Sequence, residues 1–318
     1  MITINIDKAC EALKNDEIIA LPTETVYGLA GNAYSESALK KIFKLKSRPF
    51  YNPLILHIKS VKYLKEVAVN IPEIAIKLAE EFWPGPLTLV LQKQSHISHL
   101  VTASKDTVAV RVPNHPFALA LLNKLNFPIA APSANPFGSI SPTNAEHVFN
   151  YFGNELNVIL DGGECEKGLE STIIGFENNH PVLYRHGSIS IEEIEKIAGK
   201  LSITTNSDNS PNSPGMLSRH YAPMTDMYLT NNISELLKCF EGRKIGLLLF
   251  KNHIQNNNIF HQEILSKSGD FNEAAKNLYA AMHRLDQSNL DVILAERFPD
   301  KGLGKTINDK LERATKKE

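Results

Sequence analysis

A polar segment at residues 202–214, SITTNSDNSPNSP, limits the possible folds of this chain more than any other stretch. It is rich in Ser, Asn, Thr and Pro and has no apolar pattern from which to build a core, which is typical of a flexible linker. The chain has 318 residues, enough for two domains that each bury their own core. We therefore predict a domain over residues 1–201, a linker over 202–224 and a smaller domain over 225–318.

The sequence on each side of this linker alternates short apolar runs with amphipathic segments. In the first part, this alternation predicts an α/β domain built on a twisted, mixed sheet. In the second part, strands are expected at 227–230, 244–250 and 291–296, with helices at 233–240, 272–286 and 305–316. We interpret the second part as a small Rossmann-like α/β domain. The linker either tethers the two domains or returns over the first domain as a lid.

Charge and cysteine content narrow the class of protein. The formal net charge is −1, so any anion site must be a local cluster, and a general nucleic-acid binder is disfavoured. Cys10, Cys165 and Cys239 are scattered without a C-x-x-C pair, which favours reduced thiols. No apolar run approaches the roughly 20 residues that a membrane span needs. We expect a cytoplasmic protein without a membrane contact.

Residues 21–58 concentrate polar groups between two predicted strands. Pro22 ends the first strand, and Thr23, Glu24, Thr25 and Tyr27 then place hydroxyls and a carboxylate on a loop. An ordinary strand-to-helix turn would look similar, so this loop alone leaves a structural role and a binding role open.

The same stretch continues into a helix that Ser35 can cap, followed by Lys46, Arg48 and two prolines. Lys46 near a helix C-terminus has an equally good structural explanation in the helix dipole. The planar guanidinium of Arg48, among prolines and aromatics, suits bidentate recognition of phosphate or carboxylate. His57, alone on an apolar strand, would ordinarily be a core residue.

Two further positions carry polar groups in apolar surroundings. Arg111 stands between valines in a predicted strand and needs an anionic partner, either a structural carboxylate or that of a bound amino acid. Ser133 and Asn135 follow an apolar strand, at the carboxyl end where open α/β sheets place ligands.

Several of these motifs occur together in one known family. The stretch PTETVYGL at 22–29, the K-x-R of Lys46 and Arg48, and the S-x-N of Ser133 and Asn135 resemble the YrdC-type threonylcarbamoyl-AMP synthases. The resemblance extends through LESTIIGF at 169–176 and SPGMLSRHYAP at 213–223, and so covers most of the chain, as in the longer, two-domain form. It implies an N-terminal YrdC-like domain with a concave ligand site.

The resemblance also implies a reaction and a set of site residues. The family makes L-threonylcarbamoyl-AMP from L-threonine, bicarbonate and ATP with release of pyrophosphate, for N6-threonylcarbamoyladenosine formation in tRNA. The threonine site would comprise Thr25, His57, Arg111 and Ser171. The ATP site would comprise Arg48, Asn52, Thr107, Ser133, Ser141, Arg185 and Tyr221. The catalytic signature would comprise Lys46, Arg48, Ser133 and Asn135.

Other participants follow from the same resemblance. Mg²⁺ is expected with ATP, although no compact acidic cluster predicts a metal site made of protein side chains alone. Ala131 stands where many relatives have a threonine, and Glu24 and His57 are the candidate bases. The product would pass to a tRNA threonylcarbamoyl transferase complex, with at most a weak contact to tRNA.

Two other functions remain as alternatives. An RNA-binding or ribosome-associated module could use the cations at 40–48, and its RNA affinity would depend strongly on salt. A related O-carbamoylation enzyme would form a carbamoyl-adenylate from carbamoyl phosphate and would not respond to threonine.

Overall fold

The computed structural model describes residues 1–205, 213–216 and 219–316. The first domain has eleven strands: β1 Ile2–Thr3, β2 Ile19–Leu21, β3 Gly28–Asn32, β4 Ile55–His57, β5 Leu87–Gln92, β6 Thr107–Arg111, β7 Ile129–Ala130, β8 Ile159–Leu160, β9 Thr172–Glu177, β10 His180–Arg185 and β11 Ser202–Ile203. Its α-helices are α1 Ile6–Lys14, α2 Glu36–Lys46, α3 Leu64–Val67, α4 Glu73–Phe82, α5 His99–Thr102, α6 Pro116–Lys124, α7 Ala145–Phe152 and α8 Ile191–Ala198. Short 3₁₀ turns span Val61–Tyr63 and Gly153–Glu155.

The strands of the first domain form one mixed sheet in the order β1-β8-β2-β3-β7-β4-β6-β5-β9-β10-β11. This confirms the predicted α/β class with a mixed sheet. Strands β4 and β6 are parallel neighbours, and their register places His57 beside Arg111. The fold therefore joins two predicted site residues that lie far apart in sequence.

The second domain has a sheet of four parallel strands in the order β12-β15-β13-β14. The strands are β12 Met227–Thr230, β13 Ile245–Leu249, β14 Ile259–Ile264 and β15 Val292–Glu296. The helices are α9 Ile233–Lys238, α10 Phe271–Asp286 and α11 Leu303–Ala314. Helix α9 connects β12 to β13 and α10 connects β14 to β15, whereas β13 and β14 are joined by a loop. Parallel strands with two helical crossovers confirm the Rossmann-like prediction.

Local signals explain several element boundaries. Ser35 Oγ accepts a hydrogen bond of 3.3 Å from the Ala38 amide, so the predicted cap of α2 is confirmed. The helix ends at Ser47, which has a left-handed backbone with φ 52°. Trp83 Nε1 donates to the Leu87 carbonyl at 2.7 Å, so this tryptophan braces the turn before β5.

Four boundaries differ from the sequence prediction. Strand β3 lies where a loop was expected, because its glycines pack closely against neighbours although they lower strand propensity. Strand β14 was missed, since its residues alternate weakly and remain half-buried. Strand β11 pairs with β10, which moves Ser202–Ile203 from the expected linker into the first sheet. Residues 60–69, for which the sequence predicts one helix, form a 3₁₀ turn followed by the short helix α3.

The linker and the second domain pack on the first domain. Met216 is fully buried against one face of the large sheet, beside Ile55, Ala109 and Tyr184. Val26 and Leu169 of the first domain share a hydrophobic cluster with residues of α10 and α11. The described part of the linker therefore lies on the first domain, as a lid would. Residues 206–212, 217, 218, 317 and 318 lie outside the described chain.

Candidate active site

A cavity opens between the large sheet and the linker. Its walls come from the loop after β2 and the start of β3, from the segment after α2, from β4 and β6, and from the segment after β7. The two residues before β9, the end of β10 and the linker complete them. The lining residues are Thr23, Thr25, Val26, Gly28, Arg48, Ile55, His57, Arg111, Ala131, Pro132, Ser133, Glu170, Ser171, Arg185, Pro214, Gly215, His220 and Tyr221.

Arg111 at the end of β6 has a structural carboxylate as its partner. Arg111 Nη2 lies 2.7 Å from Glu24 Oε1, and both side chains are buried. Arg111 Nη1 donates to Thr25 Oγ1 at 2.9 Å, and Nε donates to the Gly85 carbonyl at 3.2 Å. The ion pair is poorly aligned for a hydrogen bond, and neither Glu24 oxygen accepts one within the described residues. The group therefore has hydrogen-bonding capacity left for a ligand.

Arg48 is buried without an acidic partner among residues 1–205, 213–216 and 219–316. Its Nη2 donates to Asn52 Oδ1 and to the Pro53 carbonyl, each at 2.7 Å. Burial and the neighbouring charge of Arg185 lower the pKa of Arg48 to about 9. A buried cation close to another cation is stabilised by an anion placed between them.

Lys46 supports the strand-end segment that carries the S-x-N motif. Its Nζ donates to the carbonyls of Ser133 and Asn135, each at 2.5 Å. The pKa of Lys46 is lowered well below its usual value, first by burial and then by Arg48. Asn135 Nδ2 in turn donates to the Pro136 and Ser139 carbonyls. Lys46 and Asn135 thus shape the loop behind the cavity wall.

Arg185, at the end of β10, joins the sheet to the linker. Its Nε and Nη2 donate to the Ser171 carbonyl at 3.1 and 2.9 Å, and Nη2 also reaches Ser171 Oγ at 3.0 Å. Arg185 Nη1 donates to the Pro214 carbonyl of the linker at 3.3 Å. Ser171 Oγ is 2.7 Å from Thr88 Oγ1, so its orientation is fixed from two sides.

Two neutral histidines face the arginines. Burial, followed by the charge of Arg111, lowers the pKa of His57 to about 3. Burial also holds the pKa of His220 well below its usual value, with Arg48 as the largest charged contributor. In the described structure, Nδ1 of each ring has no hydrogen-bond partner. Both rings can therefore bind a ligand without adding charge.

The structure brings eight of the predicted site residues to the cavity: Thr25, Arg48, His57, Arg111, Ser133, Ser171, Arg185 and Tyr221. Five others lie outside its lining: Lys46, Asn52, Thr107, Asn135 and Ser141. Asn52 Oδ1 accepts a hydrogen bond from Arg48, and Ser141 Oγ donates to Glu170 Oε1 at 2.6 Å. Thr107 begins β6 and lies roughly 13 Å along that strand from Arg111.

The predicted site residues do not include Glu170, His220 and Gly215, although all three line the cavity. Glu170 precedes the predicted Ser171, and His220 precedes the predicted Tyr221. Glu170 and His220 could therefore have been found as ionisable residues adjacent to predicted site residues.

Two features are absent from the described part of the chain. Among residues 1–205, 213–216 and 219–316, no group of three or more His, Cys, Asp or Glu could hold a metal ion. No helix within those residues is both long and apolar enough to cross a membrane.

Fold and cavity together define a class: a two-domain α/β protein in which a linker covers three buried arginines. The profile of the Sua5/YciO/YrdC family, described as "Telomere recombination", matches residues 11–187. A second profile, "Threonylcarbamoyl-AMP synthase, C-terminal domain", matches residues 189–315.

The similarity to known proteins extends over nearly the whole chain. A threonylcarbamoyl-AMP synthase from Pyrococcus abyssi is 42% identical over 95% of this chain and 92% of its own length. A threonylcarbamoyl-AMP synthase from Bacillus subtilis is 39% identical over 97% of this chain and 92% of its own length. The crystal structure of P. abyssi Sua5 complexed with L-threonine has a TM-score of 0.92 at 41% identity, covering 98% of this chain and 94% of that one. The chain belongs to the threonylcarbamoyl-AMP synthase family.

Proposed function

We propose that this protein synthesises L-threonylcarbamoyl-AMP from L-threonine, bicarbonate and ATP, with release of pyrophosphate. The observation that carries the proposal is the set of three buried guanidinium groups, Arg48, Arg111 and Arg185, around one cavity. Only Arg111 has a carboxylate partner within the described residues. Such a cavity suits one carboxylate substrate together with a polyphosphate.

The Arg111 side of the cavity suits threonine. Arg111 Nη2 contacts Glu24 but makes no well-aligned hydrogen bond in the described structure. Because this nitrogen carries two hydrogens, one remains for the amino acid's carboxylate. Thr25 and His57 lie beside it and offer a hydroxyl and an unpaired ring nitrogen. The similar P. abyssi Sua5 was crystallised with L-threonine, which supports this assignment.

The Arg48 and Arg185 side suits ATP. These two cations lie close enough for their charges to interact, since Arg185 lowers the pKa of Arg48. Phosphate oxygens between them would relieve that repulsion and would gain bidentate hydrogen bonds. Tyr221 adds a buried hydroxyl without a partner in the described chain. The linker would then close over the nucleotide.

The reaction requires positioning more than a nucleophilic side chain. The threonine amine adds to the carbon of bicarbonate-derived carbon dioxide and loses a proton, which gives a carbamate. A carbamate oxygen then attacks the α-phosphorus of ATP, a phosphorus–oxygen bond to the β-phosphate breaks, and pyrophosphate leaves. Fixed guanidinium groups stabilise the charge that builds on the phosphate oxygens.

The two candidate bases differ in chemistry. With a pKa of about 3, His57 is too weak a base to take the ammonium proton near pH 7 and acts as a neutral hydrogen-bonding group. Glu24 has two buried oxygens without hydrogen bonds in the described residues, and it lies next to Arg111. We assign the proton acceptor to Glu24, directly or through one water molecule.

Magnesium would enter with the nucleotide. The cavity lining includes Glu170, whereas Glu24 contacts Arg111 outside that lining. Both carboxylates are engaged, Glu24 by Arg111 and Glu170 by Ser141 and Tyr279. These residues fit an ion that takes most of its ligands from phosphates and water. When bound, the ion would neutralise phosphate charge.

The product is a mixed carbamic–phosphoric anhydride, so its consumer must accept an activated carbamoyl group quickly. We assign that role to a tRNA threonylcarbamoyl transferase complex. The outer-face cations Lys40 and Lys41 pair with Glu36 and Glu17, which leaves little net charge for an RNA surface on α2.

Pyrophosphate release by the purified protein tests the proposal. We expect release from ATP only when threonine and bicarbonate are both supplied, with serine giving a much lower rate. Release that depends on carbamoyl phosphate and ignores threonine would favour the O-carbamoylation alternative. No release, together with RNA binding that weakens with salt, would favour the RNA-binding alternative.

A further inference from the structure

Tyr279, on α10 of the second domain, is fully buried at the domain contact. Its hydroxyl donates to Glu170 Oε2 at 2.9 Å, while Ser141 Oγ donates to Glu170 Oε1 at 2.6 Å. Glu170 lines the cavity. Each oxygen of this carboxylate is therefore held by one donor, and the two donors come from different domains.

Tyr279 also packs against the linker. Its ring stacks on Tyr221, with centroids 5.6 Å apart and planes at 28°. Lys310 Nζ on α11 lies 4.9 Å from the centroid of the same Tyr221 ring. Two residues of the second domain thus fix the ring of a linker residue whose backbone is left-handed, with φ 64°.

The Tyr221 hydroxyl is buried and lacks a hydrogen-bond partner in the described chain. A buried hydroxyl without a partner is destabilising, so a ligand in the cavity is the natural partner. Because the ring is held from the second domain, that domain sets where the hydroxyl points.

Glu170 also connects Tyr279 to Arg185. The Glu170 carbonyl accepts the Ser188 amide at 2.9 Å, which fixes the backbone on one side. The carbonyl of the next residue, Ser171, accepts two hydrogen bonds from Arg185. A shift of Glu170 would therefore change the position of the Arg185 guanidinium.

We propose that Tyr279 is a positioning residue for the ATP side of the cavity, acting through Glu170 and through Tyr221. This is the contribution of the second domain to the reaction, and it rests on the proposed function. The threonine side should be largely independent, because Arg111 is held by Glu24, Thr25 and Gly85. Ser171 keeps its hydrogen bond to Thr88.

The test uses the full chain and the variant Tyr279→Phe, which removes the hydroxyl and keeps the ring. We expect kcat/KM for ATP to fall on the order of tenfold through a higher KM, while the Kd of threonine, measured by calorimetry, changes by less than about twofold. Tyr279→Leu also removes the aromatic stacking and should have a larger effect. The matched control is Tyr228→Phe on β12, whose ring contacts Phe240 and does not line the cavity. It should leave the KM for ATP unchanged.

A second measurement separates positioning from a general loss of structure. Glu170→Gln and Tyr279→Phe should be non-additive, so that the double variant loses less than about twofold beyond the worse single variant. An unchanged KM for ATP in Tyr279→Phe would overturn the inference. So would equal losses in threonine and ATP affinity with a lowered Tm, which a merely structural role predicts. If wild type releases no threonine-dependent pyrophosphate, the proposed function itself fails.

Discussion

At the residue scale, Arg48 and Arg111 are buried cations with different partners. Arg111 faces the Glu24 carboxylate at 2.7 Å, whereas Arg48 is bonded to neutral groups of Asn52 and Pro53. Removing one member of a buried ion pair leaves an uncompensated charge, which is strongly destabilising. Removing a buried cation that has no acidic partner leaves no such uncompensated charge.

This difference predicts distinct outcomes for two variants. Arg48→Ala and Arg111→Ala should each lower kcat/KM at least about tenfold, or on the order of 1.4 kcal/mol. Arg111→Ala should also lower the free energy of unfolding by about 3–5 kcal/mol, and Arg48→Ala by much less. Steady-state kinetics and urea unfolding measure the two effects.

The control for the stability effect neutralises the partner. Adding Glu24→Gln to Arg111→Ala should recover part of the lost stability without recovering activity. Near wild-type kinetics in both arginine variants would contradict the assignment of the cavity. Equal stability losses in both would contradict the pairing argument.

The sequence predicted a role for Arg111 but none for Tyr279. The sequence showed that Arg111 needs an anionic partner. Only the structure identifies Glu24 as that partner, because the two residues lie far apart in the sequence and meet in the folded chain. Nothing in the local sequence indicates a functional role for Tyr279. It occupies an apolar position of an amphipathic helix, more than a hundred residues from Glu170. Contacts between distant segments cannot be read from local patterns.

At the element scale, the linker depends on one glycine. Gly215 has φ 85°, and a Cβ there would lie 2.6 Å from Arg185 Cδ and 3.1 Å from the Tyr221 hydroxyl. An alanine would therefore displace two groups on the ATP side, in addition to adding backbone strain.

Gly215→Ala should raise the KM for ATP on the order of tenfold and lower stability by about 1 kcal/mol. Gly242→Ala is the matched control: Gly242 has φ 80°, and a Cβ there would meet no atom of a non-adjacent residue within 4 Å in the described structure. It should show a similar stability loss and unchanged kinetics. A KM for ATP that rises equally in both variants would show that strain, and not contact with Arg185, is responsible.

Element prediction succeeded where periodicity was strong and failed where glycine or weak alternation hid it. The amphipathic pattern and Ser35 cap fixed α2, whereas β3 begins with Gly28 and also contains Gly31, so it resembles a turn. Strand β3 pairs with β2 and β7, and this pairing stabilises a segment of low intrinsic propensity.

At the scale of the whole molecule, two histidines stack across the domain contact. His147 on α7 and His283 on α10 have ring centroids 3.9 Å apart, and His283 Nε2 lies 3.2 Å from the Ser141 carbonyl. Burial is the main cause that lowers the pKa of His147 to about 3 and of His283 to about 4. Both rings are therefore neutral in the folded protein near pH 7.

The lowered pKa values predict acid sensitivity. The pKa of His283 is 6.5 in the unfolded chain and about 4 in the folded protein. Between pH 6.5 and about pH 4, the unfolded chain therefore binds more protons at this residue than the folded protein does, so stability falls as the pH falls. His283→Gln keeps a donor for the Ser141 carbonyl and removes the titration. It should therefore reduce the stability loss between pH 7.5 and pH 5 by about 1–2 kcal/mol.

Urea unfolding at the two pH values measures this difference. His253→Gln, at an exposed position of the second domain, is the control for the His-to-Gln substitution itself. A wild-type pH dependence in His283→Gln would contradict a role for the stacked pair.

The most direct test of the central claim is the chemical identity of the product. The protein, given ATP, L-threonine and ¹³C-bicarbonate, should form a nucleotide whose mass equals AMP joined to threonine through one carbonyl, with the ¹³C label in that carbonyl. Mass spectrometry of rapidly quenched reactions detects it. Formation of only AMP or ADP, or of an adenylate that lacks either threonine or the label, would contradict the account.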